Sequence, residues 1–191
     1  MLATLGDLLE DVVIRVDDPV NVASDTSARI ERRRGGSAAN VAATAASAGN
    51  AARFIGQVGD DAIGRALVDE LTTVGVDVSF VRYDGRTGTI AVLVDATGER
   101  TMLTDRGACT ALEQPDVAWL ASSVALIEGH GVGATLELLQ RLRPAVVFAN
   151  ADEASVLGVV GPVAGAVTVV KRGAGPATVF AAGERHDVAA E

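Results

Sequence analysis

The sequence predicts an α/β protein with a mostly parallel central sheet that is flanked by helices. Strand-like and helix-like segments alternate along much of the 191 residues, as in repeated βα units. Hydrophobic residues make up 49% of the chain but aromatic residues only 3%, so the core must consist of Ala, Val, Leu and Ile. The alternation is interrupted at 11–34 and 78–104 by strands with tight turns, which predicts a second, small antiparallel β-layer.

The first half of the chain contains most of the regular pattern. β-branched runs indicate strands, the Ala-rich stretch that ends at Gly49-Asn50 indicates a helix, and an amphipathic helix follows it. Asp60 and Asp61 begin that second helix, where interaction with the helix dipole is enough to explain two acids. The predicted strands are 2–5, 11–16, 27–34 and 52–58, and the predicted helices are 37–49 and 60–75.

The second half is less regular. Asp-Gly and Thr-Gly turns divide 78–104 into short strands that are typical of antiparallel hairpins. Apolar runs predict buried strands at 124–128 and 145–150, with a helix at 133–144 between them. Two further runs, 166–173 and 177–183, predict a closing hairpin-like pair.

Composition narrows the functional classes. The net charge of −9 argues against general nucleic-acid binding, which requires a basic face. The N-terminus has no basic segment with a cleavage site, and no uncharged apolar run is long enough to cross a bilayer, so we expect a cytoplasmic protein without membrane contact. The single Cys109 excludes an internal disulfide and is expected to be a buried thiol.

The Gly-Gly pair before the first helix is the first candidate site. Glycine permits positive φ and close approach of a ligand to the backbone, and a helix N-terminus offers unpaired N–H groups. Ser37 or Asn40 can either cap the helix or contact a ligand hydroxyl. On spacing alone, ordinary turn chemistry is modestly favoured.

A second candidate lies where Asn150 ends a predicted strand and Glu153 follows in the next turn. Ligands of open α/β sheets bind at the carboxyl ends of strands, and a carboxylate there can hold Mg²⁺. The same two residues fit a capping box at a helix start. Taken alone, helix capping is the better interpretation.

Three further signals predict little chemistry. Gly129, Gly131 and Gly133 imitate a dinucleotide-binding fingerprint, but no strand ends in an acid about 20 residues later, so an NAD site is improbable. His130 and His186 are far apart and lack metal-ligand spacing. Surface or loop positions explain both histidines better than catalysis.

In chain order, these segments resemble the ribokinase-like (pfkB) family of carbohydrate and nucleoside kinases. The matching stretches are "GDLLED", "GGSAANVA", "FIGQVGDDAIGRALVDELTTVGVDV", "FANADEA" and "VVKRGAGPATV". The resemblance implies one three-layer, Rossmann-like α/β domain over 1–191 with a small antiparallel lid, the lid strands lying within about 11–34 and 78–104. It further implies phosphorylation of a hydroxymethyl group on a sugar or nucleoside by ATP with Mg²⁺.

The resemblance also implies roles for individual residues. Asp11, Gly36, Ser37 and Asn40 fall on the substrate-binding positions, and Glu128 matches a further substrate contact more loosely. The three arginines at 32–34 would end a lid strand, with solvated or lid-packing roles rather than phosphate binding.

On the nucleotide side, Asn150, Lys171 and Gly173 would contact ATP, and Glu153 would serve Mg²⁺. The open edges of the lid strands make a homodimer through the lid plausible. The partners are therefore a small-molecule sugar or nucleoside and a second copy of the chain.

One family signature is missing from these residues. The Gly-Ala-Gly-Asp loop, which supplies the base and an anion hole, does not occur in the 191 residues, and the stretch from Glu128 to Asn150 is shorter than the family pattern. We therefore expect a chain shortened internally and at its C-terminal end, with the catalytic residue unknown. The alternative is a catalytically inactive relative that binds a sugar or nucleoside or is only structural.

Overall fold

The computed structural model describes residues 2–111, 124–127, 146–151, 154 and 166–189. The predicted helix at 133–144 lies outside them. The strands are β1 (Leu2–Leu5), β2 (Leu9–Arg15), β3 (Arg29–Gly35), β4 (Ala52–Val58), β5 (Asp77–Tyr83), β6 (Thr87–Val94), β7 (Arg100–Gly107), β8 (Val124–Ile127), β9 (Val146–Asn150), β10 (Val167–Arg172), β11 (Gly175–Ala181) and β12 (Glu184–Val188). The helices are α1 (Ser37–Ser47) and α2 (Ala62–Thr73), with a short 3-10 helix at Ala108–Ala111.

A parallel four-stranded sheet forms the centre of the fold, in the order β5-β4-β1-β8. β1 pairs with β4 on one side and with β8 on the other, both in parallel. Parallel neighbours need crossover connections, and α2 makes one of them between β4 and β5. The predicted α/β class with a mostly parallel sheet is confirmed.

A second sheet has the order β12-β11-β10-β9 and continues the first, because β8 lies beside β9. β9 and β10 are parallel, whereas β10, β11 and β12 form an antiparallel meander. This confirms the predicted pairing of the last two apolar runs. β12 was not predicted, because all five of its residues are exposed and mostly polar, so they carry no alternating pattern.

The third sheet, which we call the lid, contains β3, β2, β6 and β7 in that order. Its outer pairs are antiparallel, as predicted, but the central pair of β2 and β6 is parallel. The segment predicted as lid at 78–104 divides between two sheets, since β5 pairs in parallel with β4 in the central sheet. Asp84 N–H donates to the Val58 carbonyl and Asp60 N–H to Gly85, so this Asp-Gly turn is attached to the end of β4 and does not close a hairpin.

The core between the helices and the central sheet is built from small side chains. α1 buries Ala38, Ala39, Ala42 and Ala43 in one cluster with Phe54. Alanines on this face allow the helix backbone to approach the sheet closely, as the low aromatic content predicts. Within the described ranges, neither helix has the length and hydropathy needed to cross a bilayer.

Cys109 lies in the 3-10 helix and is buried, as predicted. Its Sγ atom is 3.4 Å from the Leu8 carbonyl oxygen and 3.6 Å from that of Gln57. The thiol therefore packs against the β1–β2 connection, which joins the central sheet to the lid, and against β4 of the central sheet.

Candidate functional site

Two glycines join lid strand β3 to α1, and both are required by close contacts. Gly36 has φ +99°, in the region that favours glycine, and occupies the N-cap position of α1. A Cβ at Gly36 would overlap the Asp7 carbonyl oxygen, and a Cβ at Gly35 would overlap the Asp11 carboxylate. The Gly-Gly pair therefore brings the base of the lid, the β1–β2 connection and the start of α1 into direct contact.

Asp11 lies on β2, opposite Arg33 of β3. Its Oδ1 atom is buried and has no hydrogen-bond partner among the described residues, while the nearby Arg33 pairs with Glu31 instead. Burial raises the pKa of the Asp11 carboxyl. A buried acceptor without a donor is uncommon in folded proteins and requires an explanation.

Asn40 belongs to the first part of α1 but does not cap the helix, because Gly36 holds the N-cap position and Ser37 is the first helical residue. Arg34 Nε donates to Asn40 Oδ1 at 3.3 Å. Arg34 in turn pairs with Glu70 of α2 through Nη1 and Oε1, 2.7 Å apart. The side-chain amide oxygen of Asn40 therefore accepts from Arg34, and the Nδ2 group of the same amide donates to no described residue.

The arginines at 32–34 pair with carboxylates of the lid and of α2. Arg32 contacts Glu10 at 2.6 Å, and Arg33 contacts Glu31. Arg34 is 15% exposed, as expected for lid packing, whereas Arg32 and Arg33 are 67% and 56% exposed and are solvated as well as paired.

A second connection attaches the lid to the central domain. The Asp61 carboxylate caps α2 by accepting from Gly64 N–H at 2.8 Å, and it also accepts from the Thr87 N–H at 2.8 Å and the Thr87 hydroxyl at 2.6 Å. Burial opposes ionisation of Asp61, yet these hydrogen bonds outweigh burial and lower the pKa of its carboxyl. The sequence predicts only the helix-start role of Asp61, because its contact with Thr87 of β6 is not encoded locally.

An ion pair between Asp7 and Arg106 makes a third connection. Asp7 follows β1 and is buried, and Arg106 comes from lid strand β7. The two residues are 99 positions apart, and neither belongs to a periodic pattern. The contact was therefore not predictable from the sequence, in which the position of Asp7 shortly after a predicted strand is the one available signal.

The predicted nucleotide-side residues lie on neighbouring strands. Asn150 is the last residue of β9 and is the register partner of Lys171 on β10. Gly173 follows in the β10–β11 turn with φ +59°. Parallel strands end at one edge of a sheet, so these three positions are adjacent. Glu128 and Glu153 lie outside the described residues.

The histidine expectation can be checked at one position. His186 is exposed on β12, with Nε2 3.6 Å from a Glu184 carboxylate oxygen. This confirms a surface position for His186, while His130 lies outside the described residues.

Known carbohydrate kinases share sequence with the first part of the chain. Residues 1–129 match the sequence profile described as pfkB family carbohydrate kinase. A fructokinase from Klebsiella pneumoniae is 41% identical over 87 residues, which cover 44% of this chain and 28% of the fructokinase. An ATP-dependent ribose-1-phosphate kinase from Halopiger xanaduensis is 41% identical over 100 residues, covering 51% of this chain and 34% of that kinase. The matches thus span about a third or less of these relatives.

Solved structures match over nearly the whole chain. A putative ribokinase from Agrobacterium tumefaciens has a TM-score of 0.76 at 16% identity, covering 100% of this chain and 76% of its own. The ribokinase of Arabidopsis thaliana, solved with ribose and ATP, has a TM-score of 0.70 at 19% identity, covering 98% of this chain and 77% of its own. These likenesses establish a ribokinase-like fold.

Proposed function

Because the chain belongs to the pfkB family of carbohydrate kinases, we propose that it binds a sugar or nucleoside at the base of the lid for phosphorylation by ATP. The sugar or nucleoside is the phosphoryl acceptor, and its hydroxymethyl group is the group that reacts. Two parts of the proposal have separate support: acceptor binding follows from the geometry around Asp11, and phosphoryl transfer follows from family membership.

The observation that carries the proposal is the buried Oδ1 atom of Asp11, which accepts no hydrogen bond from the described residues. A buried oxygen atom that accepts no hydrogen bond costs free energy, and a hydroxyl group of the sugar or nucleoside that donates to it would recover this cost. Hydrogen bonds from hydroxyl groups to carboxylates are short and stronger than neutral ones. A polyol is therefore the class of ligand that this position fits best.

Neighbouring groups complete the recognition of a polyol. The Asn40 Nδ2 group is positioned to donate to a ligand oxygen, because Arg34 occupies the amide oxygen. Gly36 has no side chain to obstruct a ligand, and the Ser37 hydroxyl stands at the start of α1. Asp11 Oδ1 accepts hydrogen bonds and Asn40 Nδ2 donates them, so the two side chains supply both hydrogen-bonding polarities that sugar hydroxyls need.

We assign the nucleotide to the edge where Asn150, Lys171 and Gly173 are adjacent. ATP supplies the phosphoryl group, and the Lys171 ammonium would stabilise its negative charge. We assign Mg²⁺ to Glu153, because carboxylate oxygens are its preferred ligands. The base that deprotonates the acceptor is assigned to none of the 191 residues, since they contain no Gly-Ala-Gly-Asp. Because ATP is the phosphoryl donor, we propose that the protein acts in the cytoplasm.

We also propose that two copies associate through the lid. The register places Val12 in a row with Leu103, and Ile14 in the next row with Ile30 and Leu93, on the lid face opposite Asp11. Leu103 is 69% exposed and Ile30 is 61% exposed. Arg32, which pairs with Glu10, lies in the Val12 row of the same face. A face that combines exposed apolar side chains with such an ion pair fits a second copy of itself. Light scattering should show a dimer that Ile30→Glu converts to monomer; a monomeric wild-type protein would contradict this assignment.

Calorimetric titration tests acceptor binding. Fructose, ribose and adenosine are titrated into the wild-type chain, and we expect at least one to bind. Asp11→Asn and Asn40→Ala should each weaken that ligand, by roughly tenfold for the charged hydrogen bond of Asp11. The matched controls Asp69→Asn and Asn50→Ala change exposed residues outside the site and should leave affinity unchanged. Equal affinity in the wild type and both site variants would refute the proposal.

A further inference from the structure

Most described arginines pair with a carboxylate, as expected in a chain with a net charge of −9. The paired arginines are Arg32, Arg33, Arg34, Arg53, Arg65, Arg86, Arg106 and Arg185. Arg15 and Arg29 differ, because in the described part of the chain no carboxylate oxygen lies within 4.0 Å of either guanidinium. Glu31, in the next row of the same face, attracts both guanidinium groups at longer range, but its direct partner is Arg33.

Arg15 and Arg29 are also direct neighbours. Arg15 ends β2 and Arg29 begins β3, and they are register partners in the antiparallel pair. Residues directly opposite each other share one face of a sheet with Cβ atoms about 5 Å apart, where like charges are destabilising. Val94 and Arg100 extend the same row across the lid, which adds a third cation to it. The fold thus places like charges side by side at this end of the lid.

A cavity of about 370 Å³ opens between these arginines. Its other lining residues are Asp17, Ser27 and Ala28. The volume lies near the lower end of the roughly 300–1,000 Å³ typical of small-molecule pockets. Two guanidinium groups and a hydroxyl donate hydrogen bonds, whereas the Asp17 carboxylate only accepts them. A ligand that fits must carry an anionic group and, at another position, a hydroxyl donor.

The cavity is separate from the acceptor site. Asp11 precedes Arg15 by four residues on β2, which places their Cα atoms about 13 Å apart along the strand. Asp11 is not among the residues that line the cavity, so a hydroxyl group bound at Asp11 does not occupy it. What binds at Arg15 and Arg29 can be tested independently of the kinase proposal.

We propose that Arg15 and Arg29 form a binding site for the phosphate monoester of a small polyol. Planar guanidinium groups bind phosphate oxygens in a bidentate manner, with Ser27 adding a further donor. A hydroxyl group of the same ligand donates to Asp17. Binding of the dianion also removes the repulsion between the two arginines, so the ligand should stabilise the lid as well as occupy the cavity.

The experiment is a calorimetric titration of the complete chain with glycerol 3-phosphate, inorganic phosphate and glycerol. We expect the two phosphates to bind and glycerol not to bind, with glycerol 3-phosphate the tighter. Arg15→Gln and Arg29→Gln should each weaken both phosphates by about tenfold or more. Asp17→Asn should weaken glycerol 3-phosphate relative to inorganic phosphate, whose affinity should not fall because the change also removes a like charge from the cavity.

Arg86→Gln is the matched control, because it removes one exposed charge just before β6 that already pairs with Asp105 of β7. It should leave phosphate affinity unchanged. If a Gln variant does not fold, Arg15→Lys and Arg29→Lys retain the charge but lose the bidentate geometry, and should still weaken binding several-fold. No binding to the wild type, or equal affinity in the wild type and the arginine variants, would overturn the proposal. An equal loss in Arg86→Gln would also overturn it, by showing a nonspecific charge effect.

Discussion

Replacement of Arg34 by Met tests whether the lid orients Asn40. The change removes the hydrogen bond to Asn40 Oδ1 and the ion pair with Glu70, while the apolar stem keeps its packing. The Arg34 side chain is 15% exposed and that of Glu70 is 52% exposed, so the pair is only partly desolvated. A half-exposed ion pair contributes about 0–1 kcal/mol, and the longer hydrogen bond to the amide contributes about 1 kcal/mol.

We therefore expect Arg34→Met to lower the free energy of unfolding by about 1–2 kcal/mol. It should weaken acceptor binding by about fivefold, because Asn40 can rotate its amide once the oxygen is released. Glu70→Gln is the control, since it weakens the ion pair but leaves the Arg34–Asn40 hydrogen bond in place. It should reduce stability slightly and affinity hardly at all.

The assay is a double-mutant cycle on the acceptor dissociation constant with Arg34→Met, Asn40→Ala and the double variant. If Arg34 acts through Asn40, its removal should have little further effect once Asn40 is replaced, which gives a coupling of about 1 kcal/mol. Fully additive losses would refute the positioning role. If Asn40→Ala alone had no effect, acceptor binding by Asn40 would be refuted instead.

Three further outcomes follow from the same contacts. Asp11→Asn should raise the melting temperature of the ligand-free protein at neutral pH. Folding raises the pKa of the Asp11 carboxyl, so the wild-type protein loses stability as the pH rises from the unfolded-state pKa to the folded-state pKa, and the Asn variant should not. The same pH dependence of stability in both proteins would contradict this. Asp61→Ala should cost about 2–3 kcal/mol in denaturant unfolding, because it removes the cap of α2 and both bonds to Thr87, whereas the exposed Asp60→Ala should cost less than about 0.5 kcal/mol. Gly36→Ala should impair folding, since its φ is +99° and a Cβ would overlap a backbone carbonyl; wild-type stability would show that the turn can rearrange.

Local sequence patterns were sufficient for most individual elements. The apolar run at β4 has the bounds predicted from it, and α1 and α2 begin and end within two residues of their predicted limits. Their signals are contained in the segment itself: alternation, helical periodicity, and glycine at the C-terminal end. The pairing of β5 was not predictable in this way, because an Asp-Gly turn has the same sequence whether it closes a hairpin or attaches to β4.

In the candidate site, too, the positions of functional residues were predictable from motifs, whereas their contacts were not. The order of motifs identified Asp11, Gly36 and Asn40 as functional positions, and the structure brings Asp11 and Gly36 to the same lid base. The unpartnered Asp11 oxygen depends on Arg33 pairing elsewhere, which no local pattern encodes. The hydrogen bond from Arg34 to Asn40 likewise depends on where β3 meets α1.

Titration of the Asp11 carboxyl by carbon-13 NMR, with and without a bound sugar or nucleoside, tests whether this carboxylate binds the phosphoryl acceptor. Burial without a donor predicts a pKa above the ordinary value in the ligand-free protein. A ligand hydroxyl that donates to the carboxylate should lower this pKa, because it stabilises the charged form. A pKa that stays unchanged on addition of a saturating acceptor would contradict the assignment of Asp11 to acceptor binding.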